Sequence, residues 1–380
     1  MTAGEKDTVL MRDNLCEIIQ KIDSAHAGLL MQRGLRKWEE GEKPTKKALI
    51  DTIASVKPNE LYLLAFNRWL GATFNKPTFA TASASIDGRL FTGLALGGTL
   101  ETGVMTHHAY GMPMIAGSSV KGAVRSYVEH LFAKRNENNQ IKYDKDGQVI
   151  VQDDKKPILD ILFGADSDDD NASAGYLIWH DAWWIPKVSS KMELSADNQP
   201  FVGEVVTVHH QKDYQGEWVE AWDIESPVPN QQIAVQGDFY FCIEGDNDWA
   251  EFAKDLLDRM LKEQGLGAKG SNGYGYFISD KKLDGDIEKR YQNSKPIDPT
   301  NPLALIKKEI SILDDEQLVE KLSKGINKFF NDLQFNKEDE SDCRKVVQVL
   351  VEERSDFIDK LSNETGKNAQ KAYKFIEKYR

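Results

Sequence analysis

The sequence is poor in cysteine, poor in basic charge, and without a long apolar run. Its three cysteines, Cys16, Cys242 and Cys343, lie far apart. They form neither a zinc spacing nor a disulfide framework, which points to a reducing, cytoplasmic setting and to no metal or other cofactor. No signal peptide opens the sequence. No apolar stretch approaches the ~20 residues of a membrane span, so no membrane association is expected. With 48 Lys and Arg against 61 Asp and Glu, the net charge is −13. That balance weighs against nucleic-acid binding over the whole surface, but it leaves room for a local basic track on an acidic body. The 380 residues are enough for a large core and two domains.

Glycine, by contrast, is concentrated. Gly265-Leu266-Gly267-Ala268-Lys269-Gly270-Ser271-Asn272-Gly273-Tyr274-Gly275 holds five glycines in eleven residues. Glycine takes φ > 0 at little cost and admits a close backbone approach. The stretch reads as a loop with outward N–H groups, a concavity that can hold a phosphate. Gly265-x-Gly267-x-x-Gly270 also fits the dinucleotide fingerprint, but that motif needs a strand before it and a helix after it. Here a helical pattern over 249–261 precedes the loop and an aromatic, β-branched strand over 274–278 follows, which excludes the fingerprint.

A second stretch is Gly111-Met112-Pro113-Met114-Ile115-Ala116-Gly117-Ser118-Ser119-Val120-Lys121-Gly122-Ala123-Val124-Arg125. Gly117-Ser118-Ser119 reads as a helix start at which either serine can cap. Exposed N–H groups and the helix dipole favour an anion there. Lys121 and Arg125 lie four apart and share a face. No Gly-Lys-Ser/Thr follows, so this is not a Walker loop. An ordinary capped helix with solvated cations is the plainer alternative.

The rest of the chain reads as punctuated elements. Residues 7 to 40 look helical, with His26 as a capping or packing residue, and 41 to 60 as a linker with one short helix at most. Thr78 to Ile86 alternates, Asp87-Gly88 signals a turn, and Arg89 to Leu96 reads as the returning arm of a hairpin. Residues 134 to 157 are a polar, exposed insertion. The acidic run Asp166 to Asp170 is a solvated loop. Tyr176 to Trp184 is a buried strand whose tryptophans pack in a core or stack on bases. Val205 to Val208 is a strand running into His209 and His210, whose side chains point to opposite faces and so make poor partners on one metal; one facing RNA and one facing the core is the better reading. Glu217 to Pro229 reads as a protruding β-thumb, and Phe239 to Ile243 as a strong strand. Pro296, Pro299 and Pro302 mark a linker, and 303 to 379 reads as a small helical bundle that docks a neighbour.

Taken together, Gly-Leu-Gly, five residues and Gly-Tyr-Gly, with the Gly-Ser-Ser-Val-Lys-Gly stretch, resemble the motifs of the RAMP superfamily, the RNA-binding proteins of CRISPR systems. Ala116 departs from the family's usual proline. The spacing of the two stretches, and Gly-Ala-Lys inside the loop, are most similar to the sixth subunit of the type III-B (Cmr) effector complex. The resemblance covers about residues 25 to 280. It implies an α+β fold with a ferredoxin-like βαββαβ RAMP core with insertions over 61–283; the resemblance does not reach the C-terminal region, and the residue pattern itself gives an N-terminal helical segment over 1–60 and a C-terminal helical domain over 284–380. The resemblance implies that the glycine loop and a sheet face hold guide RNA by its phosphates, without reading bases. The RNA-contacting residues would be Gly117, Ser118, Ser119, Lys121, Arg125, His209, His210, Gly265, Gly267, Lys269, Ser271, Asn272, Gly273 and Gly275. The implied partners are CRISPR guide RNA, target RNA, the repeated backbone RAMP subunit, a small helical subunit and a terminal RAMP subunit. The expected function is a non-catalytic subunit near the guide 3′ end, in antiviral defence. The alternative is a metal-independent endoribonuclease that processes guide precursors, with His26 and Lys121, or His209 and Tyr214, as acid and base.

Overall fold

The computed structural model describes residues 8–12, 14–15, 25–38, 44–96, 100, 102–165, 172–189, 191–208, 228–294, 303, 306–307, 309–310, 313–323 and 340–380. These fall into two compact units: residues 1–189 with 194–291, and residues 190–193 with 292–380. No helix among the described residues is long and apolar enough to cross a membrane.

In the first unit the chain runs α1 (Ala27–Arg33), α2 (Pro44–Ala54), α3 (Glu60–Thr73), β1 (Phe79–Ile86), β2 (Met114–Ile115), α4 (Gly117–Leu131) and α5 (Lys156–Phe163). It continues with β3 (Ile178–Trp179), β4 (Ala182–Trp184), β5 (Phe201–Val208), β6 (Val228–Val235), β7 (Asp238–Glu244), α6 (Asn247–Glu263), β8 (Phe277–Ile278) and α7 (Lys281–Ser294). The main sheet has the order β8-β1-β7-β4-β2, with β3 also pairing β7. Every neighbouring pair is antiparallel. Taken as β1-α4-β4-β7-α6-β8, this is βαββαβ with its strands in the order fourth, first, third, second, a ferredoxin-like core.

Both faces of the central strand β7 are covered. β7 is apolar at every position from Phe239 to Ile243 because each side meets a layer. Phe239, Phe241 and Ile243 share one core with α4 and α6, and with Ala80, Ala84 and Ile86 of β1. Tyr240 and Cys242 face the other way, onto Phe66 and Leu70 of α3 and Leu283, Ile287 and Tyr291 of α7. Each large apolar side chain buried in this way contributes about 1.5–3 kcal/mol. Arg290 of α7 clamps the cover. Its Nε donates to Asn67 Oδ1 at 2.6 Å, its Nη1 to Pro186 O at 2.8 Å, and its guanidinium lies 4.6 Å from the Phe66 ring centroid. Burial without a carboxylate partner lowers its pKa to about 10.

This cover corrects one expectation. The face that the resemblance opens to RNA is in part a packed interface: α3 and α7 leave Tyr240 and Cys242 of β7 fully buried, while Phe79, Thr81, Ser83 and Ser85 of β1 stay half-buried.

Other expectations also change. Within the region read as helical, Thr8–Val9 pairs with Lys37–Trp38 as a two-stranded ribbon, and α1 is only seven residues long. Ile18, Ile19 and Ile22 lie outside the described residues. The linker at 41 to 60 contains the 11-residue α2, which buries Leu49, Ile50 and Ile53. α1, α2 and β1 contribute to one core, so the first 60 residues are not a separate segment. The boundary expected at 283 falls inside α7, which packs Leu283, Ile287 and Tyr291 on the sheet.

The expected hairpin over 78–96 does not form. After the Asp87-Gly88 turn, Leu90 bridges to Val235 and Phe91 to Ala268, and the chain leaves β1. The β1 edge that the return arm needed is taken by β8, paired Phe277 to Ile86. β5 and β6 form a separate antiparallel ribbon, Phe201 opposite Val235 through Val208 opposite Val228. The thumb expected beyond them lies, for residues 209–227, outside the described residues, as do the acidic residues 166–170.

The second unit contains α8 (Asp315–Ser323), α9 (Glu340–Glu353), α10 (Ser355–Ser362) and α11 (Lys367–Tyr379). Its own core includes Ile306, Ile310, Leu318, Leu322, Val346, Leu350, Phe357 and Ile376. Ile326 and Phe329 lie outside the described residues.

Candidate nucleic-acid interface

The glycine loop joins α6 to β8 and is pinned by its own backbone. Leu266 N–H donates to Gly275 O at 2.8 Å, Ala268 N–H to Phe91 O at 2.8 Å, and Gly275 N–H to Arg89 O at 2.9 Å. Asn272 N–H donates to Lys269 O and Gly273 N–H to Gly270 O, both at 2.9 Å. The expectation of outward N–H groups is therefore corrected for these five, which are spent on holding the loop's shape. What the loop offers outward is side chains, together with the N–H groups of Gly267, Lys269, Gly270 and Ser271, which have no described backbone partner. Ser271 and Asn272 are exposed, as are Gly267 and Gly273. Lys269 sits at φ 63°, with its ammonium 5.9 Å from the Phe91 ring centroid. Gly265 and Gly275 are buried and shape the turn.

A second tie links the loop to the β5–β6 ribbon. Tyr274 OH donates to Glu204 Oε1 at 3.1 Å, and Arg89 Nε lies 3.7 Å from Glu204 Oε2. The Tyr274 ring meets Phe91 edge-on at 4.9 Å. Burial, and then the Glu204 carboxylate, raise the Tyr274 hydroxyl above its ordinary pKa, so it stays a donor.

The start of α4 differs from its expected form. Its N-cap is Ala116, without a side-chain cap, so neither serine caps it, and Ser118 and Ser119 are exposed. The anion at this terminus is the protein's own: Gly117 N–H donates to Asp181 Oδ1 at 2.8 Å. A carboxylate at a helix N-terminus satisfies an orphan donor and the dipole together. Arg125 is committed to Glu129, Nε to Oε1 at 2.8 Å. Lys121 is half-buried on the same helix. No described hydrogen bond or ion pair joins the α4 terminus to the glycine loop. His209, His210 and Tyr214 lie outside the described residues.

His26 caps α1. Its Nδ1 accepts from Leu29 N–H at 3.2 Å, and its Nε2 lies 2.7 Å from His108 O. One partner is a donor and the other an acceptor, so the neutral Nε2–H tautomer fits both. No described contact brings His26 to Lys121. His107 stands nearby, 4.7 Å from the Trp183 ring and 4.6 Å from Tyr110. Burial pushes its pKa down; Asp181 opposes this and His108 and His26 add to it. The tryptophans pack. Trp179 and Trp184 are buried, their indoles donating to Leu162 O and Gln236 O, and Trp183 stacks on Tyr62 and Trp69.

Sequence reasoning missed Asp181, Arg89, Phe91 and Glu204. Asp181 stood in a recognised segment, but nothing local tied it to Gly117, 64 positions away. Glu204 meets Tyr274 across 70 positions, and only the folded chain shows it.

A family model described as the RAMP superfamily matches residues 85–278. No curated protein matches the chain. Solved structures give partial likenesses. One is a cryo-EM structure of type III-B Cmr-beta bound to cognate target RNA, at 19% identity over 62% of this chain and 71% of that one, TM-score 0.42. A second is the crystal structure of Cmr6 from Pyrococcus furiosus, at 22% identity over 53% of this chain and 98% of that one, TM-score 0.31. A third is a type IV-B CRISPR complex, at 14% identity over 53% and 89%, TM-score 0.32. The family match runs from the end of β1 to β8, takes in both glycine-rich stretches, and spans half of the sequence: the chain belongs to the RAMP superfamily.

Proposed function

We propose that the chain is a non-catalytic, guide-RNA-binding subunit of a type III, Cmr-like CRISPR effector complex. In this reading it sits near the guide 3′ end, beside the repeated backbone subunit, with target RNA passing close by. The observation that carries it is the glycine loop. Five of its amides bond to the loop itself or to Arg89 and Phe91, and Glu204 ties it to β5. Lys269, Ser271 and Asn272 are thereby presented from a fixed platform on the surface. A cation and neutral donors on rigid backbone suit phosphates, which carry affinity without base identity. The non-catalytic part of the reading is supported by His26, whose ring nitrogens both have backbone partners.

The test is RNA binding by the purified chain, with Lys121→Ala and Lys269→Ala compared over unrelated spacer sequences. Each variant is expected to weaken all sequences equally and to reduce the slope of log K against log salt by up to about 0.7. A loss confined to particular sequences refutes the phosphate assignment. Incubation of repeat RNA in EDTA is expected to leave it intact. Defined cleavage products, abolished by His26→Ala, would overturn the non-catalytic reading in favour of the endoribonuclease.

A further inference from the structure

We propose that the solvent face of α11 is a second contact for RNA backbone. This rests on the reading of the chain as an RNA binder, and it departs from the assembly role expected for the C-terminal helices. Lys367, Lys371, Lys374 and Lys378 recur every four, three and four residues along α11. At 3.6 residues per turn they fall within an arc of about 60° and run for roughly 16 Å. All four are exposed. The opposite side of the helix, with Ala369, Ala372 and Ile376, is buried in the bundle.

The stripe is unusual within this chain. α11 carries a single acid, Glu377, which pairs with Arg380, against its four lysines, whereas α7 carries Lys281, Lys282 and Lys289 among Asp284, Asp286 and Glu288. The described ion pairs of the second unit use Lys191, Lys307, Lys321, Arg354, Lys360 and Arg380. None uses a lysine of α11. Lys378 Nζ donates to Tyr379 OH at 2.8 Å. In a chain of net charge −13, a one-signed line of four cations is a local basic track.

The geometry also selects the partner. A membrane-lying helix inserts its apolar face, and the apolar face of α11 is already packed. A protein interface centres on a buried apolar anchor, and the line of lysines has none. A regular row of ammonium groups without an apolar centre matches a row of phosphates.

The experiment uses the full chain with Lys367, Lys371, Lys374 and Lys378 all changed to Gln, measured by fluorescence anisotropy against unrelated single-stranded RNAs over a salt series. The salt slope is expected to fall by about 2–3, and low-salt affinity by roughly tenfold or more, equally for every sequence. The four Lys→Arg changes are expected to restore both. Single variants Lys371→Gln and Lys374→Gln, each expected to lower the slope by up to about 0.7, guard against misfolding of the fourfold variant. Lys269→Ala is run beside them. If it weakens binding while the α11 variants do not, the proposal fails and the RNA-binding reading stands. If no form binds RNA, both fail. Unchanged RNA affinity with lost binding to phosphatidylserine vesicles also overturns the proposal, in favour of a membrane contact.

Discussion

Gly273 and Gly275 stand two residues apart in the same motif, yet the structure separates their roles. Gly275 has φ 80°, and a Cβ there would lie 2.1 Å from the carbonyl oxygen of Leu266, whose N–H bonds back to Gly275 O. Gly275→Ala therefore carries left-handed strain of about 1–2 kcal/mol and disrupts a buried hydrogen bond worth about 1–3 kcal/mol. The sum is roughly 2–5 kcal/mol. Gly273 has φ 86°, but a Cβ there meets nothing within 4 Å. Gly273→Ala carries the strain alone, partly offset by ~0.4–1 kcal/mol of lost unfolded-state entropy, and so costs about 1 kcal/mol. For a unit of this size 1 kcal/mol moves Tm by about 2 °C. Gly275→Ala should lower Tm by roughly 4–10 °C and Gly273→Ala by about 2 °C. The assay is thermal denaturation followed by circular dichroism, with RNA affinity measured below the transition. If the loop holds phosphates as proposed, Gly273→Ala should bind RNA more weakly while folded, because its new methyl group projects into the open space beside the loop. Equal Tm shifts for the two variants would refute the claim that the Leu266 carbonyl sets the loop.

Asp181→Ala removes the carboxylate that receives Gly117 N–H and should destabilise the first unit by about 0.5–2 kcal/mol, read from urea midpoints; Asp181→Asn, which still accepts, should recover most of it. An unchanged midpoint in Asp181→Ala would show that this cap contributes nothing. Asp258 is half-buried on α6, and burial, beside Asp255, Asp284 and Glu251, raises its pKa from 3.8 to about 6 against the pull of Lys254. The folded chain then holds this proton more tightly than the unfolded one, so its contribution to stability falls as pH rises from about 4 to about 6. Asp258→Asn should raise stability at pH 7 by on the order of 1 kcal/mol after solvent screening, and should flatten that stretch of the pH–stability curve. Denaturation of both forms across pH 4–7 checks it, and parallel curves would sink the assignment.

Much of the fold was legible because local patterning carries it. β7 announced itself by five consecutive apolar residues, α6 by its 3.6-residue period, and the end of α5 by Gly164, which takes φ 86° as the C-cap. The glycine loop between α6 and β8 was legible for the same reason: no regular element accommodates so many glycines. Partner choice was not legible. Asp87-Gly88 is a sound turn signal, but a turn says only that the chain reverses, and the edge of β1 went to β8. The α3–α7 cover also lay beyond the sequence. It depends on Arg290 reaching Asn67 across 223 positions, a contact no periodicity encodes.

The sequence by itself determined the central strand β7, the helix α6, the glycine loop between α6 and β8, and the family to which the chain belongs. Only the tertiary structure decided that α3 and α7 pack over the central strand of the sheet, that Asp181 fills the anion position of α4, and that five amides of the loop are bonded where free amides were expected. The reason is physical. Local propensity depends on neighbours along the chain, whereas burial and hydrogen-bond satisfaction depend on groups brought together from distant positions, and a buried donor is bonded by whichever acceptor the packing delivers.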